Sequence, residues 1–453
     1  MPLALTSITT VAARIPVIAA AVLVTALAAL LTPVHAMKIQ PVKSPGGIEA
    51  WLVEEHSVPL MAMRFSFEGG SAQDMAGREG ATNVLMAMMD EGAGDLDALT
   101  FQQRMEEIAM RMSFEDGRDQ VYGSFETLTT NRDAAIELLR LAITRPRLDA
   151  GDVERIRGQI LSNLAFAAKD PNKVADNAWN AAAFPGHPYG RPSNGTVDSV
   201  KAITRDDLVA MKRQQFAQSN LKVVVVGDID AKTLGALLDK VFGELPRSAN
   251  LVDVPKVAPK GGGQLNIIQM PVPQSVAIFG MGAMARKDPD FIAASVMNQI
   301  LGGGGFASRL MEEVREKRGL AYSVYSYIAP YRATSLFAGG VSTKNDQIAT
   351  SLQVIKDEFK RMADSGATPA ELDNAKSYLT GSYALRFDTN SKIATQLLAI
   401  SQEGLGIDYV DRRNAEVSAV TMDDIKRVAK RLLVTDQLLV TVVGQPTGLP
   451  AKL

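Results

Sequence analysis

The feature that most constrains this chain is an internal duplication. Residues 200–228, VKAITRDDLVAMKRQQFAQSNLKVVVVGD, match residues 417–445, VSAVTMDDIKRVAKRLLVTDQLLVTVVGQ, at an offset of 217 residues and without a gap. Thr204 aligns with Thr421, Asp206 and Asp207 with Asp423 and Asp424, and Gly227 with Gly444. In each copy a Thr followed by two acids has the chemistry of a helix start. The hydroxyl caps free backbone N–H groups, and the acids suit the positive end of the helix dipole. A β-branched run then reads as a buried strand closed by the glycine. Solenoid repeats are only about 20–50 residues long, so so long a period implies two homologous domains. Composition sets their bounds. The first is expected over 37–245 and the second over 265–453. A linker at 246–264 carries Pro255, Pro259 and the glycines 261–263.

Helix and strand patterns alternate in both halves. Ile348, Leu352, Ile355, Phe359 and Met362 fall on one helical face. Gly366 ends that helix, and Thr368, Pro369 and Glu371 open the next with a capping-box pattern. The class is therefore α+β. The 453 residues are 46% hydrophobic and 22% charged, enough for substantial cores, and with a net charge of −2 nothing points to a nucleic-acid partner. With no cysteine there is no disulfide, thiolate metal site or Cys nucleophile.

The N-terminus speaks to location. Arg14 precedes an apolar run over 15–31, and Pro33, Val34, His35 and Ala36 follow, with small apolar residues placed for cleavage after Ala36. Residues 1–36 read as a signal peptide, so the mature chain is expected to begin at Met37 in the periplasm without stable membrane insertion. The run is near the shortest that spans a bilayer, which leaves an uncleaved anchor as the alternative.

Residues 301–327, LGGGGFASRLMEEVREKRGLAYSVYSY, carry the most chemistry. A helix is expected over 306–317, with Phe306, Leu310 and Val314 on one stripe and Gly319 ending it. A strand then begins near Leu320 and brings Tyr322 beside Arg315. A guanidinium fork holds carbonyl or carboxylate oxygens in fixed geometry, and a phenol can donate to a developing oxyanion. The ordinary alternatives are an ion pair for Arg315 and plain packing for Tyr322. Gly302, Gly303, Gly304 and Gly305 lack the G-K-[ST] ending of a phosphate loop, and their plain reading is a flexible connector.

The stretch resembles the C-terminal signature of the pitrilysin (insulinase-like) zinc peptidases, in which an Arg stands seven residues before a Tyr. The HPYG loop at His187 resembles the same family. The resemblance implies two homologous domains, each a mostly antiparallel sheet with helices packed on one face, forming a clamshell. It also implies that Arg315 and Tyr322 bind the peptide backbone and help stabilise the tetrahedral intermediate from the half opposite the zinc. By likeness to the non-catalytic subunit of mitochondrial processing peptidases, Gly302–Gly305 would touch substrate. Residues 109–115 would be an edge strand that takes up an extended peptide.

The family's other motif is missing. Residues 80–91, GATNVLMAMMDE, form one apolar helical face through Ala81, Val84, Leu85, Met88 and Met89. Active members carry H-x-x-E-H on this helix. Two His grip zinc and the Glu activates its water. Here Asn83, Met86 and Ala87 stand at those positions. Where the resemblance places the family's third ligand, a Glu in a later helix, the chain offers Ser162 or Asn163. Of three histidines, His35 falls in the signal peptide and His56 and His187 are far apart. The chain is thus expected to hold no metal and to be inactive alone. It would pair as a heterodimer with a zinc-bearing homologous subunit, and its Arg315 and Tyr322 would serve a shared site for a peptide substrate. The alternative is a non-enzymatic peptide-binding or assembly protein of the cell envelope.

Overall fold

The structure, a computed structural model, describes residues 37–450, so the signal-peptide reading of 1–36, with Arg14 and His35, lies outside the described residues. Eleven strands form two sheets among those residues. They are β1 (Ile39–Lys43), β2 (Glu49–Glu54), β3 (Leu60–Glu68), β4 (Arg111–Asp116), β5 (Gln120–Leu128), β6 (Leu221–Gly227), β7 (Leu265–Gln269), β8 (Gln274–Gly282), β9 (Ala321–Pro330), β10 (Ser335–Lys344) and β11 (Leu439–Gly444). The first sheet runs β1-β2-β6-β3-β5-β4 and the second β7-β11-β8-β10-β9. The second repeats the five-strand order of the first. Likewise β2 is parallel to β6 and β7 to β11, while β3 and β8 pair antiparallel with their neighbours. This is an α+β fold of two like halves.

The duplicated segment folds as its residues dictate. Thr204 and Thr421 each accept from the backbone of the third helical residue, and Asp207 and Asp424 reach back to the cap, a full capping box in both copies. The helices Arg205–Gln215 and Met422–Leu432 follow and feed β6 and β11. The same device opens Pro369–Gly381 at Thr368 and Glu371. Strand alternation then sorts side chains between faces. On β11, Val440 and Val442 enter the core with Ile355, Phe359, Ile425 and Val428, whereas Leu439 and Val443 face the opposite side.

That opposite side is covered in a way the sequence does not indicate. The helix Pro171–Ala183 of the first half packs on β8 and β11 of the second, and Asn390–Gln402 of the second packs on β3 and β6 of the first. Trp179 is buried there, and its Nε1 donates to the Leu439 carbonyl at 3.0 Å. Gly280 makes room for it, since a Cβ would lie 2.6 Å from the indole. In return Arg64 of β3 bonds Glu126 and Ser391, and Gln402 Nε2 donates to Ser66 Oγ at 2.7 Å.

The HPYG loop straps the halves together. His187 Nδ1 accepts from the Tyr189 N–H at 3.1 Å, so its proton sits on Nε2, which donates to the Pro255 carbonyl at 3.0 Å. The Tyr189 hydroxyl donates to Asp119 at 2.5 Å and accepts from the Ala333 N–H at 3.0 Å. Residues 246–264 are pinned as well. Val252 exchanges bonds with Gln73 at 2.7 and 3.0 Å, Val257 N–H donates to the Ala333 carbonyl, and Lys260 N–H donates to that of Ala183.

Candidate functional site

Arg315 and Tyr322 meet, and Phe306 joins them. The Arg315 guanidinium carbon lies 4.8 Å from the Tyr322 ring centroid and 4.7 Å from that of Phe306. The cation thus lies against two rings whose faces carry negative quadrupole density. Tyr322 is 79% exposed and Phe306 70% exposed, so neither ring is core packing. The nearest carboxylate to Arg315 is its neighbour Glu316, at a loose 3.4 Å. The other cations of the segment are committed. Buried Glu313 takes Lys317 at 2.9 Å and Arg318 at 2.6 Å, and Arg361 stands at 3.4 Å. The Lys317 bond, offset in part by burial and aided by Arg318, holds the Glu313 carboxyl down at about 2. Arg315 thus stands outside the Glu313 cluster, with Glu316 its one carboxylate contact among the described residues.

The segment is not the regular helix expected over 306–317. Gly305–Ala307 is a short 3-10 turn, and the chain widens into π-helical turns at Gln299–Gly303 and Met311–Glu316. The Lys317 N–H accordingly bonds the Glu312 carbonyl at 2.9 Å, five residues back. Such turns are rare and concentrate at functional sites. The stripe expected of Phe306, Leu310 and Val314 is broken for this reason. Leu310 and Val314 are buried, and Phe306 turns outward onto Arg315. Arg309 fixes the turn before it through a forked pair with Glu371, 2.6 Å on each arm.

The four glycines differ among themselves. Gly302 is buried against β9, where a Cβ would lie 2.4 Å from Ser326 Oγ, so this end is packed and is no loose connector. Gly303 and Gly304 complete the turn beside Asn298 and Gln299. Gly305 has φ +57, a left-handed conformation that turns Phe306 toward Arg315. The Ser308 hydroxyl donates to its carbonyl at 2.7 Å and closes the turn.

In the first half, the helix Ala81–Met88 runs beside β4, which begins at Arg111 and is the edge strand of its sheet. Asp74 anchors the helix start by accepting from the Gly80 and Thr82 N–H groups at 2.8 and 3.0 Å, and burial pushes its carboxyl up to about 6. Asn83 Nδ2 donates to Asp116 at 2.8 Å. Met86 is 2% exposed inside the core, and Ala87, Leu161 and Leu164 pack against that core.

Two family models match the chain, "Insulinase (Peptidase family M16)" over residues 51–197 and "Peptidase M16 inactive domain" over 202–379. The chain belongs to the M16 peptidase family. It is 29% identical over 399 residues to an uncharacterised zinc protease of Streptomyces coelicolor, covering 86% of each chain. It is 24% identical over 391 residues to the non-peptidase homolog YmxG of Helicobacter pylori, covering 86% of this chain and 90% of that one. A solved M16 inactive domain from Pseudomonas fluorescens superposes with a TM-score of 0.85 at 29% identity, covering 90% of this chain and 98% of that one. These likenesses group the chain with inactive M16-like proteins.

The zinc that M16 peptidases use does not fit the residues this M16 chain presents. At the three motif positions a cation would meet an amide committed to Asp116, a thioether inside the core and a methyl group. None supplies the imidazole or carboxylate donors that zinc takes. On Ala150–Ala167, Ser162 and Asn163 face solvent, and the Ser162 hydroxyl bonds its own helix at the Gly158 carbonyl. Among the described residues no group of three His, Cys, Asp or Glu side chains is placed to hold a metal. The sequence did not reveal the stacking role of Phe306 or the hub role of Glu313, because both depend on where π-helical turns rotate the chain.

Proposed function

We propose that this M16 chain is the non-catalytic subunit of an exported, heterodimeric zinc peptidase. It contributes Arg315 and Tyr322 to a peptide-hydrolysing site whose zinc and H-x-x-E-H helix belong to a homologous partner subunit. The observation that carries the reading is the split in its sites. The Arg315 guanidinium lies against two exposed rings with only a loose 3.4 Å contact to its neighbour Glu316, while Asn83, Met86 and Ala87 fill the metal position with bonded or apolar groups. The guanidinium would hold a substrate carbonyl, and the Tyr322 hydroxyl would donate to the oxyanion formed as water adds at the partner's zinc. Gly302–Gly305 would border the same peptide path, as would edge strand β4.

Mixing the chain with a zinc-bearing M16 relative tests this. Light scattering should give a 1:1 complex, metal analysis one zinc per pair, and cleavage of a quenched peptide should need both chains. A relative that is fully active alone, or that forms no complex at micromolar concentration, sinks the proposal. The likeness to a non-peptidase homolog favours a second reading, a peptide-binding or assembly protein without any catalytic partner. Peptide binding by the purified chain, with no recruitment of a zinc-bearing subunit, would support it.

A further inference from the structure

Phe306 stands outside the Arg315–Tyr322 pair itself, yet it is held in place by its own turn. Its backbone follows a left-handed glycine, and Ser308, itself buried, closes the turn by bonding the Gly305 carbonyl. The turn delivers a large apolar ring to solvent, which costs free energy unless something covers it. The rings of Tyr322 and Phe306 both lie within 4.8 Å of the Arg315 guanidinium carbon, so two aromatic contacts limit where the fork can point. A free arginine loses several rotamers when it binds, whereas a stacked one has already lost them.

We infer that Phe306 is a positioning and specificity-determining residue of this half-site: it holds the Arg315 fork edge-on for a peptide carbonyl, and its outer face receives a large apolar side chain of the same peptide. The inference rests on the reading that Arg315 and Tyr322 bind peptide. An extended peptide rises about 3.3 Å per residue, so a carbonyl on the fork carries a flanking side chain to the Phe306 ring. An apolar side chain there buries the exposed ring; a charged or very small one does not.

The test uses the full mature chain and two fluorescein-labelled decapeptides, one with a central Leu–Phe pair and one with Ser–Gly there. Fluorescence anisotropy should show wild type preferring the Leu–Phe peptide. Phe306→Ser should weaken that peptide about fivefold and erase the preference with an unchanged thermal midpoint, and Phe306→Tyr should restore both. The Arg315 Nε–H resonance should lose its ring-current shift in Phe306→Ser and keep it in Phe306→Tyr. Unchanged affinity and preference in Phe306→Ser, or an unmoved Arg315 resonance, overturns the inference while leaving peptide binding intact. If folded wild type binds neither peptide, the underlying reading fails and this inference falls with it.

Discussion

At the scale of single residues, Met86 and Lys212 show how burial sets the consequences of substitution. Met86 sits where an active relative has its Glu, but it is part of the core. Restoring the motif with Asn83→His, Met86→Glu and Ala87→His should therefore not restore zinc binding. Met86→Glu alone should cost about 3 kcal/mol or more in denaturant unfolding, because it buries an unpaired carboxylate. Lys212 is half-buried with only the Thr144 carbonyl as partner, at 3.1 Å, and desolvation lowers its ammonium to about 8. The folded state then binds this proton less tightly than the unfolded chain does. The penalty is full below pH 8 and is relieved as pH rises toward 10.5. Lys212→Met should raise stability by about 1–3 kcal/mol at pH 7, and chemical denaturation near pH 10 should find most of that gain gone. The empty zinc motif was legible in sequence because Ala87 and Met86 lack the needed atoms. The burial of Met86 was not, since a period of 3.6 leaves it off the face formed by Ala81, Val84, Leu85, Met88 and Met89, and only packed neighbours reveal that its own side is covered too.

At the scale of elements, the helix caps and glycine stops were legible because their chemistry is local. Thr204, Thr368 and Thr421 open helices through bonds to residues three positions on. The irregular segment around Arg315 was not, because its π-helical turns depend on distant anchors: Glu371 for Arg309 and, through Glu313, Arg361. Glu313 is the anchor most open to test. Its folded carboxyl, held at about 2, lies below the usual 4.5, so it contributes stability above pH 4.5 and loses it as pH falls toward 2. Glu313→Gln should cost about 3 kcal/mol at pH 7 by removing one side of a buried charge cluster. Urea titrations of both proteins should converge near pH 2, and a difference independent of pH would rule out the charge argument.

At the scale of the whole molecule, duplication predicted two like halves, and sheet order bears out that likeness. What it could not give is their reciprocal helices, since a helix that packs on the other half's sheet has the same pattern as one that packs on its own. Trp179, the Tyr189 strap and the pinned residues 246–264 make residues 40–450 one compact unit. Calorimetry should accordingly show a single cooperative transition. Trp179→Ala should lower its midpoint at a cost of about 3–5 kcal/mol, and two resolved transitions in wild type would contradict this coupling. A chain so tied is suited to offer a rigid half-site to a partner. In the proposed pairing Arg315 serves a zinc that this chain does not hold. The most direct test is the kcat/KM for peptide cleavage by the mixed complex with a zinc-bearing relative, with wild-type chain against Arg315→Ala. A fall of about 100-fold or more is expected, with complex formation unchanged. Wild-type turnover by the Arg315→Ala mixture would contradict it.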